Sequence, residues 1–380
     1  MTDLRSASID IIRRFQSDTG AYVACPNFET YRFCWLRDGA FIAYAMDRVG
    51  EHRSARKFYR WVASTLESQV GRLERIASAL SEGLDPGPSQ MLPTRYRLDG
   101  RPEDDSWPNF QLDGYGTWLW GLCEHVGMTG EPGFISEMSA AVDLTVRYLS
   151  LVWQLPNYDC WEEFGDRVHP ATLACLYGGL TAINRYVRRD DVSALAGRIR
   201  SFVLTHGTSD GRFVKSVGHG GIDASLIWLA VPFAAVEPQN PLMVSTVQEI
   251  ERKLHHQGVH RYPEDTYYGG GEWPLLACWL GWYYCRAGRP EAALPLLEWV
   301  ESCASPSGEL PEQVSTHVNA PEYLPKWQKR WGPVATPLLW SHAMYLVLHE
   351  ELAAAPASEP WPGREGVRAP NSGGRISSTP

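Results

Sequence analysis

Helical periodicity runs through this chain from its start to near its end, and strand-type alternation is sparse. Apolar residues recur every three or four positions over 6–15, 39–49, 53–66, 112–125, 134–151 and 170–187. They do so again over 192–204, 224–235, 241–254, 273–287, 290–302 and 337–351. These are about twelve helices, in pairs. Between alternate helices lie long Gly-, Pro- and aromatic-rich loops, at 21–37, 83–109, 257–271 and 305–333, and loops of that kind on a rigid scaffold are where function concentrates. Six helical hairpins closed into a double ring, an all-α (α/α)6 barrel, would gather such loops at one end around a pocket. An open superhelix is the rival, but no fixed-period repeat of the solenoid kind is present. Residues 1–352 are expected to form one barrel domain. Residues 353–380 are Ala-, Pro-, Gly- and Ser-rich, cannot bury much apolar surface, and are expected to be a disordered tail.

The formal net charge of −9 and the lack of a basic run disfavour nucleic acid as a partner. Eight cysteines without a CxxC pair or a close-spaced framework point to reduced thiols. The N-terminal segment has no apolar leader stretch, and no run of about eighteen apolar residues could span a bilayer. A cytoplasmic protein that uses neither membrane nor metal is expected; homo-oligomerisation stays open. Sixteen Trp and seventeen Tyr exceed ordinary usage, which a rich core would also explain, but many lie beside charged or glycine-rich segments. Flat apolar platforms with polar rims suit sugars.

Two carboxylate-bearing segments, Tyr158-Asp159-Cys160-Trp161-Glu162-Glu163 and Gly308-Glu309-Leu310-Pro311-Glu312-Gln313, stand about 150 residues apart among these aromatics. Cleaving a glycosidic bond needs one carboxyl to protonate the departing oxygen and another to activate water or attack the sugar. Seven segments, in order, carry a resemblance over residues 5–350. They are 31–39 (Tyr31, Trp35, Arg37, Asp38), 107–114 (Trp107, Gln111, Asp113), 159–163, 222–225 with Asp223, 261–268 (Arg261, Glu264, Asp265), Glu312-Gln313, and 339–342 with Trp340. Together they resemble glycoside hydrolase family 15, the inverting glucoamylase family.

That resemblance implies an (α/α)6 barrel, no cofactor, a small oligosaccharide substrate, Glu162 as general acid and Glu312 as general base. The residues agree with it, because a carboxyl between Trp161 and a second carboxylate, Glu163, in a partly dry pocket should hold its proton more tightly. Inversion would need the two carboxyls roughly 6.5–9.5 Å apart. Glu309 competes with Glu312 but lacks the following Gln313. By resemblance Arg37 and Asp38 clamp the terminal glucose, Tyr31 and Trp35 wall the same subsite, and Arg261 and Glu163 hold the outer unit. Trp107, Trp161, Trp273 and Trp340 shape the walls. Asp223 is read as a helix cap, and His219, His255, His256 and His260 as packing or solvated residues.

The expected activity is an exo-α-glucosidase on short isomalto- or malto-oligosaccharides, releasing β-glucose. Trehalase activity is the alternative within the same chemistry, and a non-catalytic sugar-sensing barrel the alternative outside it. A helical-barrel terpene cyclase would need clustered Asp residues, and Asp104-Asp105 and Asp190-Asp191 are isolated pairs.

Overall fold

A computed structural model describes residues 3–103 and 105–355. The first helices are α1 (Leu4–Arg14), α2 (Leu36–Arg48), α3 (His52–Glu67), α4 (Val70–Ser81) and α5 (Asp113–Thr129). They are followed by α6 (Gly133–Glu137), α7 (Ser139–Val152), α8 (Pro170–Val187), α9 (Asp190–His206) and α10 (Pro241–Leu254). The last are α11 (Pro274–Arg286), α12 (Leu294–Ser302), α13 (Leu324–Trp331) and α14 (Leu339–Ala354).

Helix contacts close a ring. α2 packs on α5, α5 on α8, α11 on α14 and α14 back on α2, while a 3-10 helix at Ala224–Leu229 bridges α8 to α11. A second layer surrounds it: α1 on α14, α3 on α2, α7 on α5 and α3, α9 on α8, α10 on the 3-10 helix and α12 on α11. This is the (α/α)6 barrel that the sequence suggested. The two layers differ in composition for a physical reason. Inner helices are enclosed on every side, so α2 is buried without a break from Leu36 to Asp47 and α11 from Pro274 to Tyr284. An outer helix such as α3 buries a stripe, Ala55, Phe58, Tyr59, Val62 and Leu66, and turns its charges outward.

Several elements differ from expectation. Residues 224–235 form only the 3-10 helix 224–229, because Pro232 has no N–H to donate and its ring would clash with the carbonyl four residues back. The segment 134–151 is two helices, α6 and α7, meeting at Met138. α4 was not foreseen, and α13 lies inside the stretch 305–333 expected to be a loop. α14 runs to Ala354, past the expected domain end at 352, and the rest of the expected tail, 356–380, lies outside the described residues. So does Asp104.

All the inner elements start at one end. Trp35 precedes α2, Asp113 opens α5, residues 159–163 precede α8, Asp223 caps the 3-10 helix, Trp273 precedes α11, and Trp340 lies in the first turn of α14. The motif segments therefore converge where helix N-termini present their positive ends.

The tightest inner contact is glycine-dependent. A Cβ on Gly116 of α5 would lie 2.2 Å from the Cys175 carbonyl oxygen of α8, and one on Gly179 of α8 would lie 2.2 Å from the Gly116 oxygen. Neither backbone can yield without reopening the ring. Gly116→Ala should therefore lower the unfolding free energy by about 1–3 kcal/mol, the usual cost of overpacking, as read from the urea midpoint. An unchanged midpoint would mean that α5 and α8 can separate freely.

Candidate active site

A cavity of about 360 Å³ opens at this end of the barrel, near the lower limit of ordinary ligand pockets, roughly 300–1,000 Å³. Both singled-out glutamates line it, and so do Tyr31, Trp35, Arg37 and Asp38. Trp107, Trp161, Glu163, Arg261, Trp273 and Trp340 complete the set brought together. Gln313 does not line it. Its Oε1 instead accepts the Gly271 N–H at 2.9 Å, bracing the loop before α11. Glu264 is exposed and Glu309 lies outside the lining.

Glu162 is held by a turn built on Asp159. One oxygen of Asp159 accepts the backbone N–H of Trp161 at 3.0 Å and of Glu163 at 2.9 Å, and Glu162 between them takes φ = 64°. Left-handed backbone at a non-glycine residue costs free energy and persists only where the surroundings enforce it. Trp35 Nε1 donates to Glu162 Oε1 at 3.0 Å, and Arg37 Nη2 stands 3.7 Å from the same oxygen. Burial dominates its titration: reinforced by Asp38 and opposed by Arg37, it pushes the carboxyl up to about 7.

Glu312 sits at a bend in a short irregular segment tied to α14. Ser341 Oγ donates to the Pro311 carbonyl at 2.8 Å, and His342 Nε2 accepts the Leu310 N–H at 3.0 Å. His342 can accept there because it is neutral, burial holding its titration down to about 3. Tyr31 donates to Glu312 Oε1 at 3.0 Å, and the Tyr31 and Tyr267 hydroxyls are 2.9 Å apart. The other oxygen, Oε2, is buried without a protein partner among the described residues. Burial again dominates, pushing Glu312 up to about 8 against the Tyr31 hydrogen bond and the field of Arg261. Tyr31 also meets Trp35 edge-on with ring centres 5.6 Å apart, so the partners of the two glutamates brace each other.

Two buried arginines flank the pair. Arg37 donates from Nε to Asp38 at 3.1 Å and from Nη1 to Gln111 and Asp113 at 3.1 and 3.0 Å, its guanidinium 4.8 Å from the Trp340 ring centre. Arg261 makes a two-pronged pair with Asp265 at 2.7 and 2.5 Å and lies 5.4 Å from the ring centres of both Trp161 and Trp273. Its Nη2 stands 3.6 Å from Glu163, which also accepts the Tyr262 hydroxyl. Burial raises Glu163 above the ordinary carboxyl range even beside this cation. Planar donors fixed in this way present hydrogen bonds in set directions, as hydroxyl recognition requires.

Sequence reasoning missed three groups. Arg95 is buried with its guanidinium 4.0 Å from the ring centres of both Phe33 and Trp107, and so fixes Trp107 at the mouth. Trp327, Arg330 and Trp331 line the outer wall from α13. Asp223 caps its helix at Ser225 N–H, 2.8 Å, as expected, but also accepts Trp161 Nε1 at 3.0 Å and pairs with Lys215 at 2.7 Å. The pattern Asp223-Ala-Ser signals a cap and carries no mark of the other two. His260 is buried, and His219 and His256 are exposed. One cluster with metal-ligand spacing, Asp47, His52 and His125, lies outside the lining, and its carboxylate is hydrogen-bonded to both imidazoles.

Comparison with known proteins agrees with this geometry. The chain is 40% identical over 362 residues to an isomaltose glucohydrolase of Kribbella flavida, covering 93% of this chain and 94% of that one. It is 27% identical to trehalase 1 of Sulfolobus acidocaldarius over 74% of this chain, spanning half of that protein. A wild-type glycosidase structure superposes with a TM-score of 0.89 at 40% identity, covering 93% of this chain and 97% of that chain. A bacterial glucoamylase complexed with acarbose shares the fold, with a TM-score of 0.71 at 19% identity over 92% of this chain and 55% of that one. The family model of the glycosyl hydrolases family 15 matches residues 4–349, and the chain belongs to that family of glycoside hydrolases.

Proposed function

We propose that the protein is an inverting exo-α-glucosidase that removes the terminal glucose from short α-gluco-oligosaccharides such as isomaltose, with Glu162 as general acid and Glu312 as general base. The observation that carries the reading is that both carboxyls line one aromatic cavity in which burial raises their proton affinity, flanked by two fixed guanidinium groups. The small volume suits a chain end, and Arg37 with Asp38 offers paired donors and acceptors to one ring. A non-catalytic sensing barrel would have no use for two such carboxyls. The likeness to an isomaltose glucohydrolase over nearly the whole chain supports α-1,6-linked substrates, and a variant of the superposed glycosidase was solved in complex with glucose. A single catalytic domain in the cytoplasm belongs to the same reading. It is supported by eight cysteines of which none is disulfide-bonded, six of them buried, and no described helix is long and apolar enough to cross a membrane.

In the proposed reaction Glu162 gives its proton to the glycosidic oxygen while Glu312 takes one from water. The protein groups around them, burial foremost, order the two carboxyls the other way, about 7 against about 8. The water itself reverses that order: Tyr31 already donates to Oε1 of Glu312, and a nucleophilic water donating to the unpartnered Oε2 adds the second hydrogen bond that stabilises an anion. The active form carries one proton over the pair, so the two limbs of the pH profile belong to the pair. kcat/KM should be bell-shaped and centred nearer neutrality than the ordinary carboxyl range of about 4. Glu162→Gln should cut turnover at least about a hundredfold and flatten the basic limb, and Glu312→Gln should cut it by at least as much. Near-normal hydrolysis by either variant would sink its assignment.

The same burial makes a stability prediction. Glu312 titrates near 4.5 when solvated and near 8 in the folded protein, so between those values the native state holds more protons than the unfolded chain and stability falls as pH rises. Glu312→Gln removes this penalty. Its melting temperature should match the parent below about pH 4.5 and exceed it increasingly up to pH 9. A constant difference across that range would show the carboxylate to be solvated.

The function itself is tested by a panel of isomaltose, maltose, nigerose, kojibiose and trehalose, with proton NMR of the anomeric region in the opening minutes. Glucose should appear first as the β anomer, because an acid and a base on opposite faces deliver hydroxyl opposite the departing group. Isomaltose should be cut fastest. α-Glucose first would overturn the mechanism, and preferential cleavage of trehalose would move the protein to the trehalase reading.

A further inference from the structure

We propose that Lys215, which does not line the cavity, is the positioning residue that keeps the acid-bearing turn 159–163 in its working place. The inference rests on the reading of Glu162 as general acid.

Lys215 lies between the short hairpin Thr208–Ser209/Arg212–Phe213 and the 3-10 helix, its side chain 9% exposed. Its Nζ is 2.7 Å from Asp223 Oδ2, 3.5 Å from Asp159 Oδ2 and 3.2 Å from the centre of the Tyr262 ring. These partners belong to three separate segments: the turn before α8, the cap of the 3-10 helix, and the loop before α11. Each grips a neighbour of Glu162 in its turn. Asp159 takes the backbone N–H groups of Trp161 and Glu163, Asp223 takes the Trp161 indole N–H, and Tyr262 donates to Glu163. One ammonium thus ties together three of the side chains that hold the two residues flanking Glu162.

What it holds is costly to hold. Glu162 has left-handed backbone at φ = 64°, and Phe164 two residues on does so at 52°. Such a turn relaxes unless its surroundings over-determine it. Without the ammonium, Asp159 and Asp223 would be buried carboxylates facing a gap, and their mutual repulsion would push the turn away from the cap of the 3-10 helix. The barrel would survive, because Lys215 touches none of the inner α-helices' packing surfaces among these contacts. The carboxyl of Glu162 would move off the glycosidic oxygen.

Loss of acid placement has a signature that loss of folded protein lacks. A glycosidic oxygen needs a proton to depart, whereas fluoride departs without one. Isomaltose, or the disaccharide of the panel cut fastest, is compared with α-glucosyl fluoride on Lys215→Met, a neutral side chain of similar length. The kcat for the disaccharide should fall about 10- to 100-fold with KM little changed, as a displacement near 1 Å produces, while kcat for the fluoride falls less than about threefold. The ratio of the two is independent of how much enzyme is folded. Should Lys215→Met fail to fold, Asp223→Asn keeps an acceptor for Trp161 but breaks the ion pair, and the same selective loss is expected. Equal losses on both substrates would overturn the proposal. Glu162→Gln serves as reference: if it also loses both substrates equally, Glu162 is not the acid, and the proposal falls with that reading.

Discussion

The arrangement of the cavity depends on one buried cation. Arg37 is enclosed by Asp38 on α2, Gln111 and Asp113 at the start of α5, and the Trp340 ring on α14, three adjoining members of the inner ring. Removing a guanidinium from water is expensive, and only a full set of hydrogen bonds with a net negative surround makes the position stable. The contacts that satisfy it are therefore the contacts that hold the N-terminal ends of α2, α5 and α14 in register. Trp35 and Asp38 lie within two residues of Arg37 in the chain, so whatever the three present to the cavity is fixed by the barrel itself.

Electrostatics at this end are deliberately unbalanced toward acid. Asp38, Asp113, Asp159, Asp223 and Asp265 are all buried beside Glu162, Glu163 and Glu312, and the buried cations facing them are Arg37, Arg95, Arg261 and Lys215. Aspartates paired tightly with those cations use up the positive charge. The remaining carboxyls meet low polarity and like charge, which is why burial wins over the nearby arginines and raises Glu162, Glu163 and Glu312 together. Inner helix N-termini soften the cost of so many anions without cancelling it. Carboxyl protons held tightly enough to persist to near neutrality are the outcome.

The barrel was legible because continuous burial and one-faced burial leave different residue patterns, and pairs of such helices have few ways to close. Most of the site was legible because its residue types are ones a chain buries only for a reason: Arg37-Asp38, Trp161-Glu162-Glu163, Arg261 with Asp265. Illegible parts share a different character. Gln313 follows a catalytic candidate in sequence, yet the chain bends at Glu312 and the Gln313 side chain is taken up by the Gly271 N–H. Lys215 and Arg95 act on residues more than fifty positions away or across a loop, and a lone basic residue carries no local pattern. α13 is eight residues long, and its apolar stripe, Leu324, Trp327 and Trp331, is only partly buried and too short to stand out from the loop around it.

That last feature separates two tasks within the cavity. The inner wall, where bond cleavage is proposed to occur, is fixed by helices that cannot shift without opening the core. The outer wall rests on α13, which is seated through Trp327 edge-on to Tyr267 at 5.1 Å and donating to the Thr266 carbonyl, and through Trp331 against Phe28 at 6.0 Å. A wall of aromatic rings and one arginine on a surface helix can change its side chains with little consequence for the barrel. The proposed proton transfer then rests on the part of the structure most bound to the fold, while the outer wall rests on the part least bound to it. Tyr267 is the residue through which the two meet, since it packs on Trp327 and its hydroxyl reaches Tyr31, the partner of Glu312.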